Sequence, residues 1–447
     1  MTGLAQPLHV AVVGAGPSGV YAADALTKTG DPAVTVDVLD RLPTPFGLVR
    51  YGVAPDHLKI KSVANALVQV LSRPGVRFLG DVTVGDPDAG AVVSVAELRR
   101  HADAVVWAFG AARDRRLDIP GEELAGSVAA TDFVSWYSGH PDAALQPVLA
   151  ASAVAVIGVG NVAVDVARIL TKDVGALRET DLHTEVLDAL TSRHVRDVHV
   201  VGRRGPAYAK WTTKELRELG ELTDVDVVVD PADLELDAAQ EEVVAASALA
   251  RRNVEALRGF AGLTGAPRRI HLHFGLRPER IVEGDVSGAV GALVLAPATG
   301  GAEVTMPVQA VVRSVGYRGA PLAGVPFDEA SGTIPHADGR VLRGGEVSVG
   351  EYATGWIKRG PTGIIGTNRG DSLETVTALL ADAPGLPRVE RDPDALAALV
   401  TSRGGRSVTL EGWLRIDAAE LARGQSAGRG REKIADLAAL RAAAHGG

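Results

Sequence analysis

Two glycine-rich hexapeptides stand where short apolar runs end, GAGPSG at residues 14–19 and GVGNVA at residues 158–163. Glycines at this spacing serve separate purposes: the first permits a tight turn, the second lets the backbone approach a pyrophosphate, and the third allows a helix to pack closely on a strand. In the first turn these are Gly14, Gly16 and Gly19, with Ala15 and Pro17 assigned to the same site. In the second they are Gly158 and Gly160, and Ala163 in third place sets the helix slightly off the strand. The helix that follows each turn points its free amides at the anion. The chemistry implied, twice over, is dinucleotide binding.

The residues that end the next strand choose between dinucleotides. Asp40 lies 26 positions after Gly14 and can accept hydrogen bonds from a ribose. Beside it a 2'-phosphate would meet like charge, so the first site expects the unphosphorylated ribose of FAD or NAD. The second site has no such acid; Gly202 is followed by Arg203 and Arg204. Two guanidinium groups there suit a 2'-phosphate, through charge-assisted and often bidentate hydrogen bonds, and favour NADPH over NADH.

These turns need strands and helices to hold them. Residues 9–26 and 153–170 repeat one pattern of apolar run, glycine turn and helical apolar spacing, the opening of a Rossmann-type unit. Between the repeats, residues 34–39 read as a second strand, 59–71 as a helix and 104–109 as a buried strand. Strands over 198–201 and 225–229 continue the second unit, and 311–316 leads back out of it. A strand over 348–355 then returns to the first sheet. The expected fold is α/β with two Rossmann-like domains, the second (110–317) inserted in a discontinuous first (1–109 and 318–447). Residues 383–447 form an extension without assigned role, save a short helix over 431–444. Residues 43–57, with Pro43, Pro45, Gly47, Gly52 and Pro55, read as an irregular stretch that wraps a cofactor.

A net charge of −9 argues against a general nucleic-acid binder, which needs a basic footprint. With no cysteine the chain holds no disulfide, no cysteine-ligated iron–sulfur cluster and no CxxC redox pair, so any such cluster belongs to a partner. No apolar run approaches the ~20 residues of a membrane helix, and no secretory leader opens the sequence. A cytoplasmic protein with no metal site of its own is expected.

Taken together, PFGLVRYGVAPDH, IGVGNVAVDVARIL, VGRRGP followed by TTKELRE, and GWIKRGPTGIIGTN resemble the adrenodoxin reductase family of ferredoxin-NADP reductases, with matches over about residues 9–380. The resemblance implies FAD in the first site and NADP(H) in the second. It implies FAD contacts at Ala15, Asp40, Leu48, Val82, Trp356, Gly363, Ile364 and Ile365, and NADPH contacts at Asn161, Val162, Arg203, Arg204 and Glu215. Gly363 is shared by both cofactors, and His57 and Glu215 lie near the nicotinamide. The family often carries glutamate where this chain has Asp40, which keeps the carboxylate with one methylene less reach. Relatives that act on disulfides carry Asp after the late ATG-like turn; here Trp356 follows Thr354 and Gly355.

The function that follows is electron transfer from NADPH, through FAD, to a one-electron ferredoxin-type acceptor. An acidic partner would dock on a local basic face, with Arg217, Arg251 and Arg252, and Lys210 and Lys214, as the candidates. Two alternatives stand beside this. One is a flavin reductase subunit of a larger oxidoreductase, of the glutamate synthase small-subunit type, which the lack of cysteine disfavours. The other is a non-catalytic redox sensor, which the intact His57 and Glu215 disfavour.

Overall fold

The computed structural model describes residues 7–30, 32–144, 147–260, 264–387, 392 and 394–446. The chain divides into two compact units. The first comprises residues 1–53, 57–113 and 317–447; the second comprises 54–56 and 114–316. The sequence-derived boundaries at 109/110 and 317/318 therefore shift to 113/114 and 316/317, and Ala54–Asp56 is exchanged to the second unit. Asp56 accounts for that exchange: Arg168 and Lys172 both pair with its carboxylate.

The first unit is built on a seven-stranded sheet. Its strands run, from one edge, His336–Ala337, Arg340–Arg343, Glu346–Ala353, Ala104–Trp107, Leu8–Val13, Val34–Leu39 and Val76–Leu79. From Glu346–Ala353 onward all neighbours are parallel. Apolar residues on both faces of a strand are what a parallel sheet covered on both sides requires. Leu8, Val10 and Val12 pack with Val376 and Leu379 on one side, and Ala11 and Val13 with Leu98 and Ile357 on the other.

Where expectation and structure differ in this unit, a local cause is visible. The predicted helix over 59–71 is two, Leu58–Lys61 and Val63–Leu71, with Ser62 between them. The buried strand expected over 104–109 stops at Trp107, and the late strand is Glu346–Ala353. Residues 43–57 are not wholly irregular, since Leu48–Tyr51 forms a helical turn. The terminal helix is Leu437–His445 rather than 431–444. Residues 431–434 are held in other ways: the Ile434 amide donates to the Glu420 carboxylate at 2.9 Å and the Glu432 amide to the Glu420 carbonyl at 3.1 Å.

The described residues between 383 and 446 belong to the first unit. Trp413, Ile416, Ile434, Leu440 and Ala444 are buried in the same cluster as Phe46, Val49 and Phe78.

The second unit has a six-stranded, all-parallel sheet ordered Val225–Val229, Arg268–His273, Asp197–Val201, Ala153–Ile157, Ala310–Arg313 and Ser127–Ala129. Val154 and Val156 face the layer that contains Val164, Ala167 and Leu216. Ala155 and Ile157 face an antiparallel sheet of Leu276–Glu283, Val290–Pro297 and Val304–Pro307. The strand expected to continue to residue 316 ends at Arg313. Between residue 171 and strand Asp197–Val201 the chain carries two short helices, Val174–Arg178 and Thr184–Thr191.

Three histidines form a ladder on this sheet. His199 is in register with His271, their rings are stacked at 4.5 Å, and His273 stacks on His199 at 5.3 Å. His199 Nδ1 and His273 Nε2 share a hydrogen bond of 3.0 Å, which requires one of them to accept. Burial, and then neighbouring histidines, push both His199 and His273 down to about 4 from an ordinary 6.5. The unfolded chain takes up protons that the folded ladder refuses, so this contribution to stability is lost as pH falls from about 6.5 towards 4. Urea melts across that window should show His199→Phe with a shallower pH dependence than the parent; an unchanged slope would refute the assignment.

Candidate functional sites

The first glycine turn shows what each glycine is for. Gly14 has φ +112°, and a Cβ there would lie 2.5 Å from the Ala108 carbonyl oxygen. At Gly19 a Cβ would stand 1.9 Å from the Gly14 oxygen. Both are required by the protein itself. Gly16 is not: its φ of −71° suits any residue, and a Cβ would meet nothing within 4 Å. The open space in front of Gly16, at the N-terminus of helix Pro17–Thr27, fits a pyrophosphate that the backbone must approach closely.

Asp40 follows strand Val34–Leu39 and is tied back to this turn. Its carboxylate accepts from the Ala15 amide at 2.9 Å and the Leu42 amide at 3.0 Å. Burial pushes the Asp40 carboxyl upward against the pull of those amides. A ribose hydroxyl offers further donors to its remaining lone pairs. Val82 is buried and donates its amide to the Asp40 carbonyl at 2.9 Å, and Leu48 opens the helical turn Leu48–Tyr51. His57 is buried at the residue that immediately precedes the short helix Leu58–Lys61.

The late motif GWIKRGPTGIIGTN folds around a residue that sequence reasoning missed. Asp371, on helix Thr367–Asp382, accepts from the Gly355 amide at 2.5 Å, Thr354 Oγ1 at 3.0 Å and Arg359 at 3.0 Å, and pairs with Lys358 at 3.2 Å. Arg359 also donates to the Thr362 carbonyl and to Asn368, and Trp356 Nε1 donates to the Thr362 carbonyl at 3.1 Å. Lys358 and Arg359 therefore shape the loop that presents Trp356, Gly363, Ile364 and Ile365. Gly363 needs its glycine, with φ +82° and Thr367 Oγ1 2.7 Å from a Cβ; Ile364 is exposed. No spacing signal marked Asp371, because the groups it binds are a turn and two cations that precede it by 12–17 residues. Replacing Asp371 with alanine should leave Lys358 without one of its two carboxylates and the loop unpinned. Proteolysis within residues 356–366 should accelerate several-fold over the parent, and equal cleavage would argue against the anchoring role.

The second turn repeats the first. Gly158 has φ +131°, and a Cβ would lie 2.2 Å from the Ser314 oxygen. Gly160 has φ −110° and again open space in place of a Cβ. Asn161 begins helix Asn161–Thr171 and is followed by half-buried Val162. The Asn161 side-chain oxygen accepts from the Thr212 amide at 2.8 Å, and Thr212 in turn caps Thr213–Leu219 by accepting from the Glu215 amide at 3.4 Å. Two hydrogen bonds thus connect the second glycine turn to Glu215.

Arg203 and Arg204 are exposed just past strand Asp197–Val201, and neither has a carboxylate partner among the described residues. Arg204 lies over the Tyr208 ring at 4.7 Å, which braces it without neutralising it. Their turn is packed tightly, since a Cβ at Gly205 would overlap Gln240. An unneutralised pair of guanidinium groups on a braced turn is chemistry for an anion. Lys210, Lys214, Arg217, Arg251 and Arg252 are all exposed, on or beside the mutually packed helices Thr213–Leu219 and Ala248–Arg258; Lys214 is paired with Glu218. Among the described residues no helix is long and apolar enough to cross a membrane, and no cluster suits a metal ion.

Comparison with known proteins agrees with this geometry. Residues 8–231 match the pyridine nucleotide-disulphide oxidoreductase family model, although a chain without cysteine has no thiol for disulfide chemistry. NADPH-ferredoxin reductase FprA of Mycobacterium tuberculosis is 44% identical over 97% of this chain and 98% of its own length. The mitochondrial NADPH:adrenodoxin oxidoreductase of Arabidopsis thaliana is 39% identical over 98% of this chain and 96% of its own. The solved structure of M. tuberculosis FprA in complex with NADPH superposes with a TM-score of 0.91 at 41% identity, covering 98% of this chain and all of that one. With nearly its full length matched at 39–44% identity to these enzymes, the chain belongs to the adrenodoxin reductase-like family of ferredoxin-NADP reductases.

Proposed function

We propose that the protein carries electrons from NADPH through FAD to a ferredoxin-type iron–sulfur protein, with FAD held by the first unit and NADPH by the second. The observation that carries this reading is the pair of matched glycine turns followed by opposite charge: Asp40 after the first, Arg203 and Arg204 after the second. In the first unit Gly14, Ala15, Gly16, Pro17 and Gly19 hold the FAD pyrophosphate, and Asp40 accepts from its ribose. Leu48, Val82, Trp356, Gly363, Ile364 and Ile365 line the remainder. In the second, Gly158, Gly160, Asn161 and Val162 hold the NADPH pyrophosphate, while Arg203 and Arg204 grip the 2'-phosphate.

Bound FAD supplies the conversion between a two-electron donor and one-electron acceptors. The protein's own task is positioning. His57 and Glu215 orient the nicotinamide carboxamide or hold the proton that accompanies reduction, and the capped helix start beneath Glu215 fixes its approach. The cations at 210, 214, 217, 251 and 252 form the docking face for an acidic ferredoxin, a local basic patch on a chain of net charge −9. The cytoplasm is its expected location.

Stopped-flow absorbance tests this reading. Anaerobic NADPH should bleach the flavin bands much faster than NADH does, and addition of ferredoxin should restore them. Bleaching without reoxidation by any ferredoxin would redirect the search to another acceptor, and a protein unable to hold flavin would overturn the proposal.

A further inference from the structure

The helical tail grips the stretch that backs the first phosphate turn, and it does so with a buried ion pair. Arg50 donates through both terminal nitrogens to Glu420, at 3.0 and 2.5 Å, across 370 residues of sequence. The Glu420 side chain is fully buried and that of Arg50 is 6% exposed. Around them the contacts are directional. Arg431 donates to Glu420 at 2.9 Å, the Ile434 amide donates to it at 2.9 Å, and Lys433 donates to the Arg50 carbonyl at 2.7 Å. The Arg50 guanidinium lies 5.0 Å from the Tyr51 ring centroid and 5.4 Å from that of Trp413.

A second observation links this cluster to the phosphate turn. Phe46 has φ +83°, a conformation that a bulky residue adopts only where its surroundings impose it. Its amide donates to the Ala15 carbonyl at 2.8 Å, and its ring packs edge-on against Trp413 at 5.6 Å. The strained residue is therefore held by the glycine turn on one side and the tail on the other. Four residues later, Arg50 is clamped by the same tail helix, Leu410–Ser426. Between them lies Leu48, one of the residues assigned to FAD.

We propose that Arg50 and Glu420 are positioning residues for the flavin site: through them the C-terminal helices hold residues 43–53 against the phosphate-binding turn, so the tail sets how tightly FAD is kept. A buried ion pair is a poor source of net stability but a good source of specific geometry, because a misplaced partner leaves an uncompensated charge. The inference rests on the assignment of FAD to the first unit.

The test compares full-length apoproteins by titration with FAD, read by quenching of flavin fluorescence. Each is also measured for thermal unfolding of the apo form and for binding of 2',5'-ADP as a control on the second unit. Glu420→Gln should weaken FAD binding at least tenfold at a temperature where the apoprotein is fully folded, with 2',5'-ADP affinity unchanged. Should Glu420→Gln fail to fold, the double variant Arg50→Met/Glu420→Leu removes both charges of the pair and keeps the question open to measurement; it too should lose at least tenfold. Lys433→Met, which removes the donor to the Arg50 carbonyl, should weaken FAD binding to a lesser degree. A merely structural pair would lower the apo melting temperature and leave FAD affinity alone, and that result, in a folded variant, would overturn the inference. Parent protein that binds no FAD would instead overturn the assignment of the site itself.

Discussion

Replacing Gly16 with alanine is expected to leave the apoprotein as stable as the parent, or slightly more so, and to weaken FAD binding about a hundredfold. The backbone at Gly16 already has an ordinary φ of −71°, and the added methyl meets no protein atom within 4 Å. At such a position the loss of glycine's freedom in the unfolded chain stabilises by about 0.4–1 kcal/mol. The methyl does occupy the space a pyrophosphate must enter, and the charge-assisted hydrogen bonds it displaces are worth about 1.5–3 kcal/mol each. Gly14→Ala is the contrasting control: it is strained at φ +112° and collides with the Ala108 carbonyl, so it should damage the fold itself. Thermal melts of the apoproteins beside flavin titrations separate the two effects. Tight FAD binding by the Gly16 variant would remove the pyrophosphate from this turn. Gly160→Ala, with the same open space, should do to NADPH what Gly16→Ala does to FAD.

The second large effect is expected at Arg203 and Arg204. Replacing both with alanine should cut kcat/KM for NADPH on the order of a hundredfold or more while leaving NADH nearly untouched, since about 3 kcal/mol or more of charge-assisted bonding to the 2'-phosphate is lost. Both side chains are exposed and lack carboxylate partners among the described residues, so the fold has little stake in them. Tyr208 braces Arg204 alone, which predicts that Arg204→Ala costs more than Arg203→Ala. Steady-state reduction of ferricyanide with each nucleotide measures the ratio directly. An unchanged preference would show that the 2'-phosphate is recognised elsewhere.

Much of the site was legible in the order of residues because its parts are local. A glycine turn, the strand before it and the helix after it occupy no more than twenty consecutive residues, and the strand-end residues Asp40, Arg203 and Arg204 follow from the same βαβ geometry. The parallel strands were legible for a related reason: buried on both faces, they read as unbroken apolar runs. The inserted arrangement of the second unit followed from the repeat together with the strand that leads back out of that unit.

Of the C-terminal helices only the last was legible, and with its start misplaced. The buried stripe of Leu410–Ser426 is Gly412, Trp413, Ile416, Glu420 and Gly424, spaced as a helix requires but carrying a carboxylate and two glycines where apolar residues are expected. No hydrophobic period can be read from such a face. Its logic is supplied from far along the chain: Arg50 neutralises Glu420, and the backbone at Arg431 comes so close to Gly424 that a Cβ would lie 2.5 Å from the Arg431 Cα. Asp371 was hidden in the same manner, as one more acid on a helix until the loop folds onto it. The sequence by itself determined the two dinucleotide units, their order and the opposite charge that follows the second strand of each, since each is written in neighbouring residues. Only the tertiary structure decided what holds those sites in shape, because a buried charge has meaning only beside the partner that compensates it, and here those partners are up to 370 residues away.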